Sequence, residues 1–146
     1  MHLTRGGYRE DLKQYFRSKW EANMSRYYNF VDIKWIYEPQ EFEFYKIKRG
    51  NRFYKPDFYL PGQDRFIEVK GWFRPADKTK LRRFKKYYPV QFTKLRFVIK
   101  DPYDPRSKNN AEALNFLIGE LKIDFSQIEG YNYIEKAVGK LIPNWE

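Results

Sequence analysis

The chain has 146 residues and no cysteine, and its 29 lysines and arginines against 19 aspartates and glutamates leave a formal charge of +10. A hydrophobic fraction of 42% supports a core and argues against disorder, while the missing thiols exclude a disulfide framework, a thiolate zinc site and a cysteine nucleophile. No apolar run approaches the ~18 residues of a membrane span, so the expectation is a soluble, intracellular, single-domain protein (1–146) whose first partner to consider is a polyanion.

Residues 1–9 read as a basic arm carrying Arg5 and Arg9, either a frayed terminus or a segment lying along a phosphate backbone. Its start lacks the apolar core of a signal peptide. Helical spacing begins near Glu10, with Leu12, Phe16, Trp20, Met24, Tyr27 and Val31 recurring every three or four residues. Inside it, Ser18-Lys19-Trp20-Glu21 matches a capping box, so a helix can begin afresh at Ser18. At 100° per residue Glu21 falls on the border of the apolar stripe.

Strand signals follow at 33–37 and 41–47, then a basic turn with Lys48, Arg49 and Arg52, read as a solvated turn or a DNA contact. The run from Tyr54 to Trp72 reads as a hairpin about Pro61-Gly62-Gln63-Asp64, with a turn of the Gly-X kind. Symmetry about the Gly62–Gln63 bond makes paired residues sum to 125, which sets Asp57 opposite Glu68, and alternation keeps Lys70 on the same face. Pro75 opens a second helix to Tyr88, with Leu81, Phe84 and Tyr88 as its core stripe. Lys78, Arg82, Arg83, Lys85 and Lys86 lie off that stripe, either as a solvated face or as phosphate contacts. Leu95-Arg96-Phe97-Val98-Ile99 is a further strand, placed beside the hairpin in an α/β layer. Asn109 or Asn110 caps a third helix with Ala111, Leu114, Leu117, Ile118 and Leu121 on its apolar face, and a short helix is expected around 133–138.

Two carboxylates facing each other at roughly 5 Å repel by about 3 kcal/mol at an effective dielectric near 20. A shared divalent cation with hard oxygen ligands is the usual remedy. Asp57 and Glu68 can ligate such an ion, the Val69 carbonyl can add an oxygen, and Glu21 can complete the set. Lys70 can polarise the attacking water or neutralise charge in the transition state of phosphodiester hydrolysis. The bland alternative is an amphipathic strand with its charges in water.

Pro56-Asp57, Glu68-Val69-Lys70 and the upstream Glu21 resemble the PD-(D/E)xK nuclease superfamily. Within it, Ser18-x-x-Glu21, Tyr54-x-Pro56-Asp57-Phe58-x-Leu60-Pro61, Ile67-Glu68-Val69-Lys70-Gly71 and Lys140-Leu141-Ile142-Pro143 are similar to phage endonuclease I type Holliday junction resolvases. The resemblance implies a restriction-endonuclease-like α/β core, a mixed central sheet with an antiparallel hairpin flanked by helices. It implies Glu21, Asp57 and Glu68 as metal-binding acids, Lys70 as the catalytic lysine, and Mg²⁺ as cofactor with Mn²⁺ substituting. It further implies a homodimer that nicks four-way junctions to leave 5′-phosphate and 3′-hydroxyl ends, in the cytoplasm of a prokaryotic or phage-infected cell. Arg5, Arg9, Arg17, Lys48, Arg49, Arg52, Lys78, Arg82, Arg83, Lys85 and Lys86 are the candidate DNA contacts. In archaeal-type resolvases the first glutamate follows a glycine near the start, a pattern that Gly6-x-x-x-Glu10 imitates, which makes Glu10 a rival for Glu21. The alternatives are a sequence-specific, mismatch-directed or homing-type nuclease of the same superfamily, and a non-catalytic basic nucleic-acid-binding module.

Overall fold

A computed structural model of the chain describes residues 6–104 and 106–146, so Arg5 and the start of the expected basic arm lie outside the described residues. The first described element is a small hairpin. Gly7–Arg9 (β1) pairs antiparallel with Gln14–Phe16 (β2), and Lys13 takes a φ of 52° beside the turn. The helical spacing from Glu10 is therefore a coincidence of position. Phe16 reaches the core from a strand, packing on Tyr37 at 4.5 Å, and a left-handed residue at 13 cannot continue a helix. The helix starts only at Ser18, which caps Lys19–Phe30 (α1) by accepting from the Glu21 N–H at 3.2 Å.

The following strands are shorter than the alternation suggests: Ile36–Tyr37 (β3), Phe42–Glu43 (β4) and Phe53–Tyr54 (β5). β4 and β5 form their own two-stranded ladder rather than joining the central sheet. Phe58–Leu60 (β6) and Arg65–Val69 (β7) are the expected hairpin, with Phe58 opposite Ile67, Tyr59 opposite Phe66 and Leu60 opposite Arg65. Each pair sums to 125, so the register is the one read from the sequence. The turn chemistry differs. Gln63 N–H bonds the Leu60 carbonyl at 3.1 Å, and the left-handed residue is Asp64 (φ 54°), not Gly62. Aspartate tolerates that conformation, and its carboxylate is fixed there by the Tyr59 hydroxyl at 2.6 Å and Lys94 at 2.9 Å.

Pro75–Tyr87 (α2) and the short Pro89–Thr93 (α3) lead to Leu95–Ile99 (β8), which lies parallel to β7. Lys108–Leu114 (α4) is capped by Ser107 rather than by an asparagine and runs on into a π-helical turn, Asn115–Glu120, closed by Leu121 N–H to the Phe116 carbonyl at 2.9 Å. The shifted start and the π turn rotate the buried face onto Asn110, Ala113, Phe116, Leu117 and Leu121, leaving Ala111 and Ile118 exposed. Ile128–Gly130 (β9), not anticipated, adds a second parallel strand before Tyr131–Val138 (α5).

The chain is thus a mixed α/β fold with a five-stranded sheet in the order β3-β6-β7-β8-β9, antiparallel on one side of β7 and parallel on the other. Two apolar layers cover its faces. One holds Phe66, Leu81, Phe84, Leu95, Phe97 and Phe116, with residues of α2 and the α4 segment. The other holds Phe16, Met24, Tyr28, Phe58, Ile67 and Val98, with residues of α1. Among the described residues no helix is long and apolar enough to cross a membrane.

Candidate active site

Alternation along β7 sends Ile67 and Val69 into the layer with α1, and Phe66 and Glu68 to the face of α2. Glu68 is a carboxylate set in an aromatic layer, only 5% exposed. The Tyr54 hydroxyl, brought in by β5, donates to its Oε1 at 2.6 Å. Asp57 extends β6 by one residue: its carbonyl accepts from the Glu38 N–H and its Oδ2 from the Val69 N–H, each at 2.7 Å. The same register that pairs Phe58 with Ile67 sets Asp57 across from Glu68. Lys70 continues β7, donating its N–H to the Val98 carbonyl at 2.9 Å. Its Nζ lies 4.0 Å from Glu68 Oε2 and closer, 3.3 Å, to Oδ1 of Asp77 in the first turn of α2. The other Asp77 oxygen accepts from the Arg74 N–H at 2.9 Å, so one carboxylate both caps the helix and holds the lysine.

Glu21 approaches from the α1 side and is 7% exposed. It does not use the backbone N–H that a capping box supplies. Its Oε2 accepts from the Tyr37 hydroxyl at 2.5 Å and its Oε1 from the Ser18 hydroxyl at 3.1 Å. Two clefts meet here, sharing Arg17 and Lys70. One contains Asp57, Glu68, Asp77 and Tyr54, and the other contains Glu21, Trp20, Trp72 and Arg74. Glu10 is exposed in the β1–β2 turn and lines neither cleft. Of the two rival glutamates, the fold brings Glu21 to the cluster.

The electrostatics are those of acids held against their preference. Burial pushes Glu68 up to about 7, and repulsion from Glu21 and Asp77 adds to it against the pull of Lys70 and the Tyr54 hydroxyl. Burial first, then repulsion from Glu68 and Glu21, raises Asp57 well above the carboxylate range despite its bond from Val69. Burial likewise raises Glu21, more than its hydroxyl donors lower it. Lys70 goes the other way from an ordinary buried lysine. Burial lowers it, but Glu68, Asp77 and Asp57 outweigh that and raise it, so it is a cation at neutral pH and unsuited to act as a base. Tyr37 and Tyr54 are pushed up by burial and by the carboxylates they serve, and remain hydroxyl donors.

No family model matches the chain, and neither the curated proteins nor the solved structures contain a match to it. The chemistry of the site rests on its own atoms. Asp57 and Glu68 are hard oxygen donors on neighbouring strands with too little positive charge beside them, a donor set that fits a hard divalent cation. As the side chains stand, no three His, Cys, Asp or Glu residues among those described converge as a ready-made cage, so the pair, not a triad, is the fitting element.

Of the basic residues read as DNA contacts, several have intramolecular partners. Arg9 pairs with Glu146 at 2.8 Å, Arg17 with Glu38 at 2.8 Å and Arg82 with Glu120. Arg83 donates to the Asn51 carbonyl at 2.8 Å and Lys85 to the Leu121 carbonyl at 2.6 Å. Lys78 and Arg82 lie over the Phe116 ring, so much of the basic face of α2 is packed against the α4 segment. Lys86 lies over Tyr87 and Arg52 over Phe53, and Lys48, Arg49, Arg52, Arg82 and Lys86 are exposed. Sequence reading missed Tyr37, Tyr54 and Asp77. The first-turn aspartate after Pro75 was the one legible signal, as a cap, but nothing in its spacing aims it at Lys70.

Proposed function

We propose that the protein is a metal-dependent DNA endonuclease with a restriction-endonuclease-like core, of the kind that cuts branched DNA. The observation that carries this reading is the convergence of Asp57, Glu68 and a protonated Lys70 at one end of the β6–β7 hairpin, with both carboxyls raised. The order α1, three antiparallel strands (β3, β6, β7), α2 and parallel β8 agrees with the mixed sheet and flanking helices that the PD-(D/E)xK resemblance implies. Four-way junctions and the homodimer enter from the resemblance to phage endonuclease I type resolvases, and the net charge of +10 suits a DNA partner.

Asp57 and Glu68 would hold Mg²⁺, with Mn²⁺ substituting, and the bound ion would supply Lewis-acid stabilisation of the phosphoryl oxygens and a more acidic water. The Val69 N–H orients Asp57, and the Tyr54 hydroxyl fixes one oxygen of Glu68, leaving Oε2 toward Lys70. Lys70, steadied by Asp77, places a positive charge where the phosphorane develops negative charge, or orients the attacking water as a donor. Glu21, fixed by Tyr37 and Ser18, would be a third acid near the pair rather than part of a ready-made cage.

The test is incubation with four-way junctions and with matched linear duplex, in Mg²⁺ or EDTA. Paired nicks confined to the junction in Mg²⁺ are expected. Defined cuts in linear duplex would replace branched DNA with a sequence- or mismatch-directed substrate. Tight binding with no cleavage in Mg²⁺ or Mn²⁺ would leave only a binding module.

A further inference from the structure

The second cleft, beyond Lys70 from Asp57 and Glu68, has a different chemistry. It has a volume of about 570 Å³, within the roughly 300–1,000 Å³ of ligand pockets. Its floor is the Trp20 indole, which already stacks on Tyr131 at 4.5 Å and 11° and lies 3.4 Å from where a Cβ on Gly71 would sit. A Cβ at 71 would rest against that ring, so the glycine leaves that part of the floor uncovered. The wall is Trp72, two residues beyond Lys70, which is 53% exposed and whose indole has no ring partner among the described residues. An indole left this bare beside a lysine has an apolar face to cover. Arg74 is exposed at the rim with no ion pair among the described residues, and Arg17, paired with Glu38 at 2.8 Å but still exposed, stands where the two clefts join. Among the described residues the one acid in the lining, Glu21, is turned to Tyr37 and Ser18.

Cations around a bare aromatic face are the chemistry of an unpaired nucleotide, stacked through its base and held through its phosphates. We infer that this cleft seats one unpaired nucleotide adjoining the bond to be cut, its base on the Trp72 indole and its phosphates on Arg17 and Arg74. This rests on the reading of Asp57, Glu68 and Lys70 as a phosphodiester-cutting centre, and it names what that centre selects: a strand with a base free to leave the stack. A continuous duplex has no such base to offer without unstacking.

The test reads binding in EDTA, where nothing is cut, using a short oligothymidylate and a fully paired duplex. Oligothymidylate is expected to quench tryptophan emission in the wild type. Trp72→Ala is expected to remove most of that quenching and to weaken oligothymidylate about tenfold, while duplex binding changes less than about twofold. Trp72→Phe keeps a ring and is expected to retain most of the affinity. Arg74→Ala is expected to weaken the single strand and lower the salt slope by about one. Trp72 is exposed, so an unchanged melting temperature accompanies these effects. Equal weakening of single strand and duplex, or no weakening in Trp72→Ala, overturns the inference. If the protein passes this test yet cuts no DNA, the subsite stands and the nuclease reading falls. If it cuts branched DNA while Trp72→Ala binds oligothymidylate normally, the reverse holds.

Discussion

Charge is buried twice in this chain, with opposite outcomes. Beneath the β1–β2 hairpin, Arg26 is 5% exposed and fully answered: Asp11 takes its Nε and Nη2 at 2.8 and 3.0 Å, while Asn23 and Glu146 each take its Nη1 at 2.9 Å. Arg9 meets Glu146 from the other side at 2.8 Å. The hydrogen bond from Arg26 lowers Asp11, and Glu146 is lowered too, Arg9 and Arg26 outweighing its burial. At the hairpin end the count fails. Asp57 and Glu68 face one close lysine, which Asp77 shares, Glu21 has Arg17 as its nearby cation, and all three carboxyls are raised. A balanced buried network holds elements together, whereas an unbalanced one costs stability until something positive arrives. Glu21 and Glu68 are also buried where Asp11 and Glu146 are exposed, so missing charge and burial together separate site from scaffold.

The largest expected effect lies in the unbalanced cluster. Asp57→Asn or Glu68→Gln is expected to lower cleavage by about 10³-fold or more, equivalent to about 4 kcal/mol, while DNA binding survives. Glu21→Gln is expected to impair cutting and Glu10→Gln to leave it unchanged. Normal cutting by either Asp57→Asn or Glu68→Gln would remove the distinction between the two clusters.

The balanced cluster answers to a different assay. Arg26→Leu strands Asp11 and Glu146, and denaturant unfolding is expected to show a loss of about 3 kcal/mol, the lower end for a broken buried pair because both acids keep some solvent. Cleavage per folded molecule should not change. A loss of cutting with no loss of stability would move Arg26 into the functional cluster.

A further effect is the pH dependence of the metal-free protein. Glu68 rises from an ordinary 4.5 to about 7 on folding, so between those values the folded chain holds the extra proton. Its contribution is fully present below about 4.5 and is lost as pH rises to about 7, a fall of up to about 3 kcal/mol at 1.36 kcal/mol per unit. Asp57 and Glu21, also raised, act in the same direction. Asp11 and Glu146, lowered, lose their contribution only as pH falls through their own folded values. Unfolding in EDTA at pH 5 and pH 8 is expected to show the lower stability at pH 8, and added Mg²⁺ to restore it there more than at pH 5. A metal-free protein more stable at pH 8 contradicts the account of the acids as unbalanced.

Part of the site was legible because a hairpin is a local structure. A four-residue turn and alternating side chains fix the register from a dozen residues, so the Asp57–Glu68 pairing and the common face of Lys70 followed from counting. The same local reasoning mistook the spacing of Leu12 and Phe16 for a helix, since strand residues buried from one side can fall three or four apart. It also missed β9, three residues long and paired, among the described residues, with β8 alone. Tyr54, Tyr37 and Asp77 were beyond reach for another reason. Alternation says which face a residue takes but not which distant element meets it there. Tyr37 lies 16 residues from Glu21 and Tyr54 lies 14 from Glu68, each joined only by tertiary packing.

The Pro61-Gly62-Gln63-Asp64 turn sits at the opposite end of β7 from Glu68 and Lys70, exposed throughout and anchored by Asp64 to Tyr59 and Lys94. Three strand residues, Arg65 to Ile67, separate Asp64 from Glu68, roughly 13 Å of extended chain. It is therefore a natural handle. A peptide tag, a fluorophore or a tether to a surface can be grafted between Gly62 and Gln63, leaving the protein oriented with its reactive edge turned outward.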